Sequence, residues 1–433
     1  MSLSARLGEA TGDGGNGRSN RLADDLFQSL YLEVVDGLDT AGIRQIDPRE
    51  LRQQVNELLS EALRSRPDTV VAAQREELVR SITDEIVGLG PLEPLLADPT
   101  VSDIMVNTAE HVYIERDGVI EETGVRFRNE AHLLNTINRI VTQVGRRVDE
   151  ASPMVDARLP DGSRINAIIP PLAVDGPILS IRRFGTGPVS LKQLVNRGTC
   201  SPAMGHYFKS AVRSRCNILV CGGTGAGKTT LLNALSRYIS LAERIVTIED
   251  AAELQLQRTH VVRLETRPPN LEGKGGVTIR DLLRNALRMR PDRIIIGEVR
   301  SAEALDMVQA MNTGHDGSMT TVHSNNVDDA FTRLMAMLSM AGTPLSESMM
   351  TQMVARAIDI VIHVTRDLDG RRRVSQVAEV RGVREGEVEL NTLFALDPHG
   401  DWSCSGTTLL SARFEAAGCA LDPRWLGWPG ARR

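Results

Sequence analysis

The sequence predicts a doubly wound α/β domain, preceded by a small α+β domain and an N-terminal helical region. Three observations predict it. A compact apolar run, Ile218-Leu-Val-Cys221, opens into the glycine-rich turn Gly222-Gly-Thr-Gly-Ala-Gly227, and Leu231, Leu235 and Ile239 follow at helical spacing. Further apolar runs, Ile245-Val-Thr-Ile248 and Ile294-Ile-Ile296, alternate with helical patterns, as in parallel sheets covered on both faces. From about Asp98 to Phe184 the pattern shifts to short strands, with turn signals at Arg116-Asp-Gly118 and Pro160-Asp-Gly162.

In chain order, residues 1–20 are polar and Gly-rich and read as a disordered tail. Residues 21–90 read as a helical region, with Leu78, Ile82 and Ile86 forming one apolar stripe. The Pro- and Gly-rich stretch from Gly88 to Pro94 punctuates the chain, and 91–184 is the α+β domain. Its helix carries Leu133, Ile137, Ile140, Val141 and Val144 on one face. Residues 185–190 read as a linker, 191–395 as the α/β domain and 396–433 as a tail without a motif.

At 433 residues the chain has room for two or three domains. Hydrophobic residues make up 41% but aromatics only 3%, so packing must rest on Leu, Ile, Val, Met and Ala. A net charge of -6 without long one-sign runs argues against non-specific nucleic-acid binding, and no aromatic series accompanies the basic residues. No stable nucleic-acid partner is expected. The five cysteines show no close metal-binding spacing, which suggests a reducing compartment. No apolar stretch is long enough to span a bilayer and no N-terminal leader is visible, so a soluble, cytoplasmic protein is expected.

The chemistry concentrates in a few stretches. Gly222, Gly227, Lys228 and Thr229 fit G-x-x-x-x-G-K-[ST], the phosphate loop. A triphosphate needs bare main-chain amides, so Gly222, Gly223, Thr224, Gly225, Ala226, Gly227, Lys228, Thr229 and Thr230 are the expected ATP-binding residues. Lys228 would reach the β/γ-phosphates, and the Thr229 hydroxyl would ligate Mg²⁺. Acids at strand C-termini face the ligand crevice of such sheets, which singles out Glu249 and Asp250, with Glu253 nearby. Glu298, just past the isoleucine strand, would hold the Mg²⁺ shell or orient water. Ser301 reads as the cap of the next helix. His323 is expected to donate to the γ-phosphate, and His315 is a second candidate. Arg280, Arg284 and Arg288 share one helix face, which is solvated by default.

Together these stretches resemble the ATPases that power type II secretion, type IV pili and type IV secretion, especially the CpaF/TadA branch that assembles Flp/Tad pili. Val101–Asn107, Gly145–Glu150, Asp156–Arg164, Leu179–Phe184, the phosphate loop, Thr247–Glu253, Arg290–Glu298 and Thr313–His323 carry the resemblance. It implies a RecA-like P-loop NTPase domain, an acidic box at Glu249–Glu253, a Walker B acid at Glu298 and a histidine box at His315–His323. It also implies a homohexameric ring and an inner-membrane platform protein as partner, with peripheral membrane association through it. Arginines of the N-terminal domain would meet nucleotide, and Arg147, Arg158, Arg182 and Arg183 match that domain's motifs. Three readings remain: a pilus-assembly motor, a type IV secretion motor for protein or DNA, and a nucleotide-gated scaffold with little turnover.

Overall fold

The structure is a computed structural model and describes residues 16–38, 48–66, 72–116, 118–183, 189–267, 274–367, 369–422 and 424. Two compact units divide the chain, Met1–Thr186 and Gly187–Arg433. The expected linker at 185–188 and residues 1–15 of the expected tail lie outside the described residues.

In the first unit, helices α1 (Asn16–Gly37), α2 (Pro48–Arg64) and α3 (Ala72–Val87) pack around Leu30, Val34, Val55, Leu59, Leu78 and Ile82. The stripe read from the sequence buries Leu78 and Ile82 and half-buries Ile86. Helix α1 begins at Asn16, inside the stretch expected to be disordered. Once a helix is nucleated each further residue adds a bond at little cost, so composition marks such a boundary poorly.

After α4 (Glu93–Ala97) come β1 (Val101–Val106), β2 (Val112–Arg116), β3 (Val119–Glu122), α5 (Glu130–Gln143), β4 (Met154–Arg158), β5 (Arg164–Ile168) and β6 (Ile178–Arg182). The strands form one antiparallel sheet in the order β3-β2-β1-β6-β5-β4. Asn129 caps α5 by accepting from the His132 backbone N–H. Leu133, Ile137, Ile140 and Val141 then bury against Ile104, Val106, Leu179 and Ile181. Helices α3 and α5 are tied by a buried pair, with His132 Nε2 2.9 Å from both Glu85 oxygens. Burial opposes the Glu85 charge. His132, Arg128 and Arg139 outweigh it and hold the carboxyl below the usual range.

The second unit opens with α6 (Leu191–Asn196) and α7 (Pro202–Arg213). It continues through β7 (Ile218–Gly222), α8 (Lys228–Ser236), β8 (Ile245–Glu249), β9 (Val261–Glu265), α9 (Ile279–Ala286), β10 (Arg293–Ile296), α10 (Glu303–Asn312), β11 (Met319–His323), α11 (Val327–Met340), α12 (Glu347–Ala357) and β12 (Ile360–Arg366). From β12 the sheet runs β12-β7-β11-β10-β8-β9. From β12 to β9 every pairing is parallel. Successive residues of β7 feed opposite cores, Ile218 and Val220 into one and Leu219 and Cys221 into the other. A sheet buried on both faces needs this near-continuous apolar strand. The fold is the α/β, RecA-like P-loop architecture that the sequence predicts.

Three further strands, β13 (Arg372–Arg384), β14 (Glu387–Leu396) and β15 (Trp402–Cys404), extend the sheet antiparallel from β12. The described residues after 396, through Asp422, therefore are not detached from the domain. Phe414, in α13 (Ser411–Ala416), is fully buried and packs edge-on against Tyr207. Arg413 pairs with Asp359 at 2.8 Å. Mixed composition hid this segment because its anchors are single residues rather than a periodic face.

Candidate nucleotide-binding site

The phosphate loop lies between β7 and α8. Gly222, at φ 150°, ends β7, and a Cβ there would stand 2.1 Å from the Val364 carbonyl oxygen of β12. Only glycine fits. Gly227, at φ 96°, occupies the left-handed N-cap of α8 and leaves the first helical amides without a side-chain cap. Lys228 follows at the first helical position and is buried. Its Nζ donates to Gly222 O at 3.0 Å and Gly223 O at 2.9 Å and lies 3.3 Å from His323 Nδ1. Burial holds its ammonium below the usual lysine range, against the pull of Glu298. Thr229 and Thr230 take up the same first turn.

Parallel pairing brings the remaining groups to this end of the sheet. His323 is opposite Gly222 in the β11–β7 ladder. Its Nε2 lies 3.0 Å from Glu298 Oε1, and Glu298 Oε2 accepts from Arg300 Nη2 at 2.8 Å. Arg300 also comes within 3.7 Å of Asp250. Burial and the Lys228 charge keep the His323 ring below its usual value. The result is one polar chain, Lys228–His323–Glu298–Arg300–Asp250, across the C-terminal ends of β7, β11, β10 and β8.

Glu249 closes β8. Its Oε2 accepts from the Glu253 and Leu254 backbone N–H groups at 2.8 and 2.9 Å. Oε1 is buried and has no hydrogen-bond partner. Burial pushes the carboxyl up to about 7. Glycine at 297 lets the acid in, since a Cβ there would stand 2.9 Å from Glu249 Cγ.

Within the second unit, one expected residue does not come to this place. His315 precedes β11 at its other end, where its Nδ1 lies 3.2 Å from Ala310 O. The two histidines flank β11 as the sequence reading has them, which places them at opposite ends of that strand. Arg147, Arg158, Arg182 and Arg183 belong to the first unit. Arg182 bonds Asp103 at 2.9 Å, Arg183 donates to Val101 O at 3.1 Å, Arg158 donates to Gly162 O at 3.3 Å, and Arg147 lies 3.4 Å from Asp149. Ser301 does not cap α10; its cap position is Ala302, and Glu303 Oε1 instead accepts from the Arg300 and Ser301 backbone N–H groups. Arg280 and Arg284 are not merely solvated: both donate to Asp306, at 2.7 and 2.9 Å.

Sequence reasoning missed Arg300 and Arg372. Arg300 was within reach, two residues past Glu298. Arg372 donates to Gly225 O at 2.8 Å from 147 positions away, and no spacing rule could have found it.

These residues fit a nucleotide with Mg²⁺. The loop backbone is bare, an ammonium is buried beside it, a buried oxygen on Glu249 lacks a hydrogen bond, and Glu298 Oε1 is met by His323 at 3.0 Å without a hydrogen bond. Among the described residues no cluster of three or more His, Cys, Asp or Glu could hold a metal. Mg²⁺ does not require one, since it is commonly bound through one or two protein ligands plus phosphates and water.

A family profile described as type II/IV secretion system protein matches residues 85–407. The chain belongs to this family. A Mycobacterium tuberculosis relative with a provisional conjugal-transfer name is 39% identical to this type II/IV secretion system protein, covering 76% of this chain and 94% of its own. The Brucella suis type IV secretion system protein VirB11 is 31% identical, over 67% of this chain and 88% of its own. A crystal structure of the Brucella suis VirB11 ATPase with sulphate aligns at 29% identity and a TM-score of 0.37, covering 67% of this chain and 95% of that one. No described helix of this family member is long and apolar enough to cross a membrane.

Proposed function

We propose that the chain is an ATP-hydrolysing motor that works as a homohexamer on an inner-membrane platform. One observation carries the reading: the Lys228 ammonium lies over the loop carbonyls, 3.3 Å from a histidine that itself lies 3.0 Å from Glu298. Loop amides and Lys228 hold the phosphates, and Thr229 and Glu298 hold Mg²⁺ directly or through water. Bound Mg²⁺ would neutralise charge on the β- and γ-phosphates. Glu298 orients the attacking water. Glu249, with a carboxyl near 7, can take a proton at neutral pH. Asp250 and Glu253 support that water, and His323 donates to the γ-phosphate and senses its loss. Arg147, Arg158, Arg182 and Arg183 offset transition-state charge, from the same chain or a neighbour.

The motif resemblance favours assembly of a Flp/Tad-type pilus. Type IV secretion is the second reading, supported by the similarity to VirB11 over most of its length.

Lys228→Ala should abolish Mg-ATP binding and turnover. Glu298→Gln should bind Mg-ATP like the wild type and hydrolyse it at least about a hundredfold more slowly. Full hydrolysis by the glutamine variant would remove Glu298 from the mechanism. Absence of any Mg-ATP affinity in the wild type would end the reading.

A further inference from the structure

Glu298, Val299 and Arg300 follow strand β10 as an acid, an aliphatic residue and a cation. Val299 is buried, and its N–H donates to Thr321 O of β11 at 2.9 Å. Residues two apart in an extended chain share a side, so the two charged groups turn away from the core together. Arg300 Nη2 donates to Glu298 Oε2 at 2.8 Å. His323 Nε2 stands 3.0 Å from the other oxygen. Both oxygens of the acid expected to serve Mg²⁺ therefore face a nitrogen of the chain itself.

The main chain at Arg300 is pinned. Its N–H and that of Ser301 donate to Glu303 Oε1 at 2.7 and 2.9 Å. The side chain is freer, with 60% of it exposed against 17% for Glu298. A second acid is near: Arg300 Nη1 lies 3.7 Å from Asp250 Oδ2, and the Asp250 side chain is half-exposed. One guanidinium thus serves two carboxylates, one hydrogen-bonded and one a short shift away. Solvated ion pairs add little net stability, so moving from one acid to the other costs little. A divalent cation held by Glu298 would repel the guanidinium beside it and favour that shift.

We propose that Arg300 is an exchangeable counter-ion, which holds Glu298 while the site is empty, yields that acid to Mg²⁺ arriving with nucleotide, and moves onto Asp250. The shift ties the end of β10 to the end of β8, so magnesium occupancy is felt at both strands. Arg300 is a positioning residue, because it acts on the metal through Glu298. The inference rests on the nucleotide reading above.

The test titrates magnesium chloride into the full chain with a fluorescent ATP analogue, from a start in EDTA, and records analogue binding. A group that competes for Glu298 raises the magnesium required. Arg300→Gln should therefore lower the half-saturating Mg²⁺ concentration about threefold to fivefold. Arg300→Lys keeps the charge without the planar fork and should fall between that variant and the wild type. Asp250→Asn removes the second acid and should raise the half-saturating concentration. Arg300→Gln combined with Asp250→Asn should match Arg300→Gln alone, because Asp250 acts on the metal only through the arginine. Additive effects in that pair would overturn the handover. An Arg300→Gln variant that needs as much Mg²⁺ as the wild type, or more, would overturn the counter-ion role. Failure of the wild type to bind the analogue at any Mg²⁺ concentration would overturn the nucleotide reading instead.

Discussion

Two acids, one half-buried and one buried, bracket strand β8 and have opposite fates. Glu243, just ahead of it, is satisfied. Arg293, itself fully buried, donates to it through Nε at 2.7 Å and Nη2 at 3.0 Å. The same guanidinium donates to the carbonyls of Val212 and Gly317. Burial opposes the Glu243 charge, yet Arg293 outweighs it and keeps the carboxyl below its usual value. Glu249, at the other end, has two backbone donors on one oxygen, none on the other, and a carboxyl near 7. One end of the strand is closed by an ion pair, and the opposite end keeps polar groups incompletely satisfied. Such groups cost stability and persist where they serve a ligand.

The largest effect should come from breaking the closed end. Arg293→Ala leaves Glu243 to the Ser240 N–H and to Arg215 at 3.8 Å and removes a buried side chain, and urea unfolding should show a loss of about 3–5 kcal/mol. Replacing both partners by apolar residues, Arg293→Met with Glu243→Leu, should recover most of it. If the single variant were no less stable than the double, the contrast between the two ends would fail.

Glu249→Gln should act in the opposite direction. Its carboxyl moves from an ordinary 4.5 to about 7 in the folded chain. Below the lower value both states hold the proton. Between the two values the unfolded chain releases it and the native chain keeps it, so stability falls as pH rises through that window. The glutamine variant escapes this loss. Its stability advantage should be absent near pH 4 and reach about 3 kcal/mol by pH 8. Thermal melts across that range check it; a gap that narrows with rising pH would refute the assignment. Turnover should fall in the same variant, which separates stability from function.

The smallest effect belongs to His315. Away from the loop, His315→Ala should cost no more than about 1 kcal/mol. It should leave turnover of the assembled protein within about twofold. A collapse of turnover without loss of stability would mean that the distal end of β11 also takes part in the reaction.

The chemical core of the site was legible because it is local. Gly222 to Thr230 is one contiguous stretch whose backbone demands allow few residue types. Ile294–Ile296 with Glu298 announces a buried strand and an acid at its end. The apolar runs gave the doubly wound fold, since burial on both faces leaves no room for alternation. The segment after residue 396 and the caps of short helices were not legible. Single anchors such as Phe414 and Arg413 leave no period to read.

By itself, then, the sequence determined the phosphate loop, the strand-end acids and the class of fold, because each depends on neighbours a few residues apart. Tertiary structure alone decided the rest. Parallel register put His323 beside Gly222 and left His315 beyond the other end of β11. Burial carried Glu249 to a pKa of about 7. An antiparallel hairpin brought Arg372 to Gly225 O. Each outcome depends on which strand lies beside which, and that order is set by packing over the whole domain.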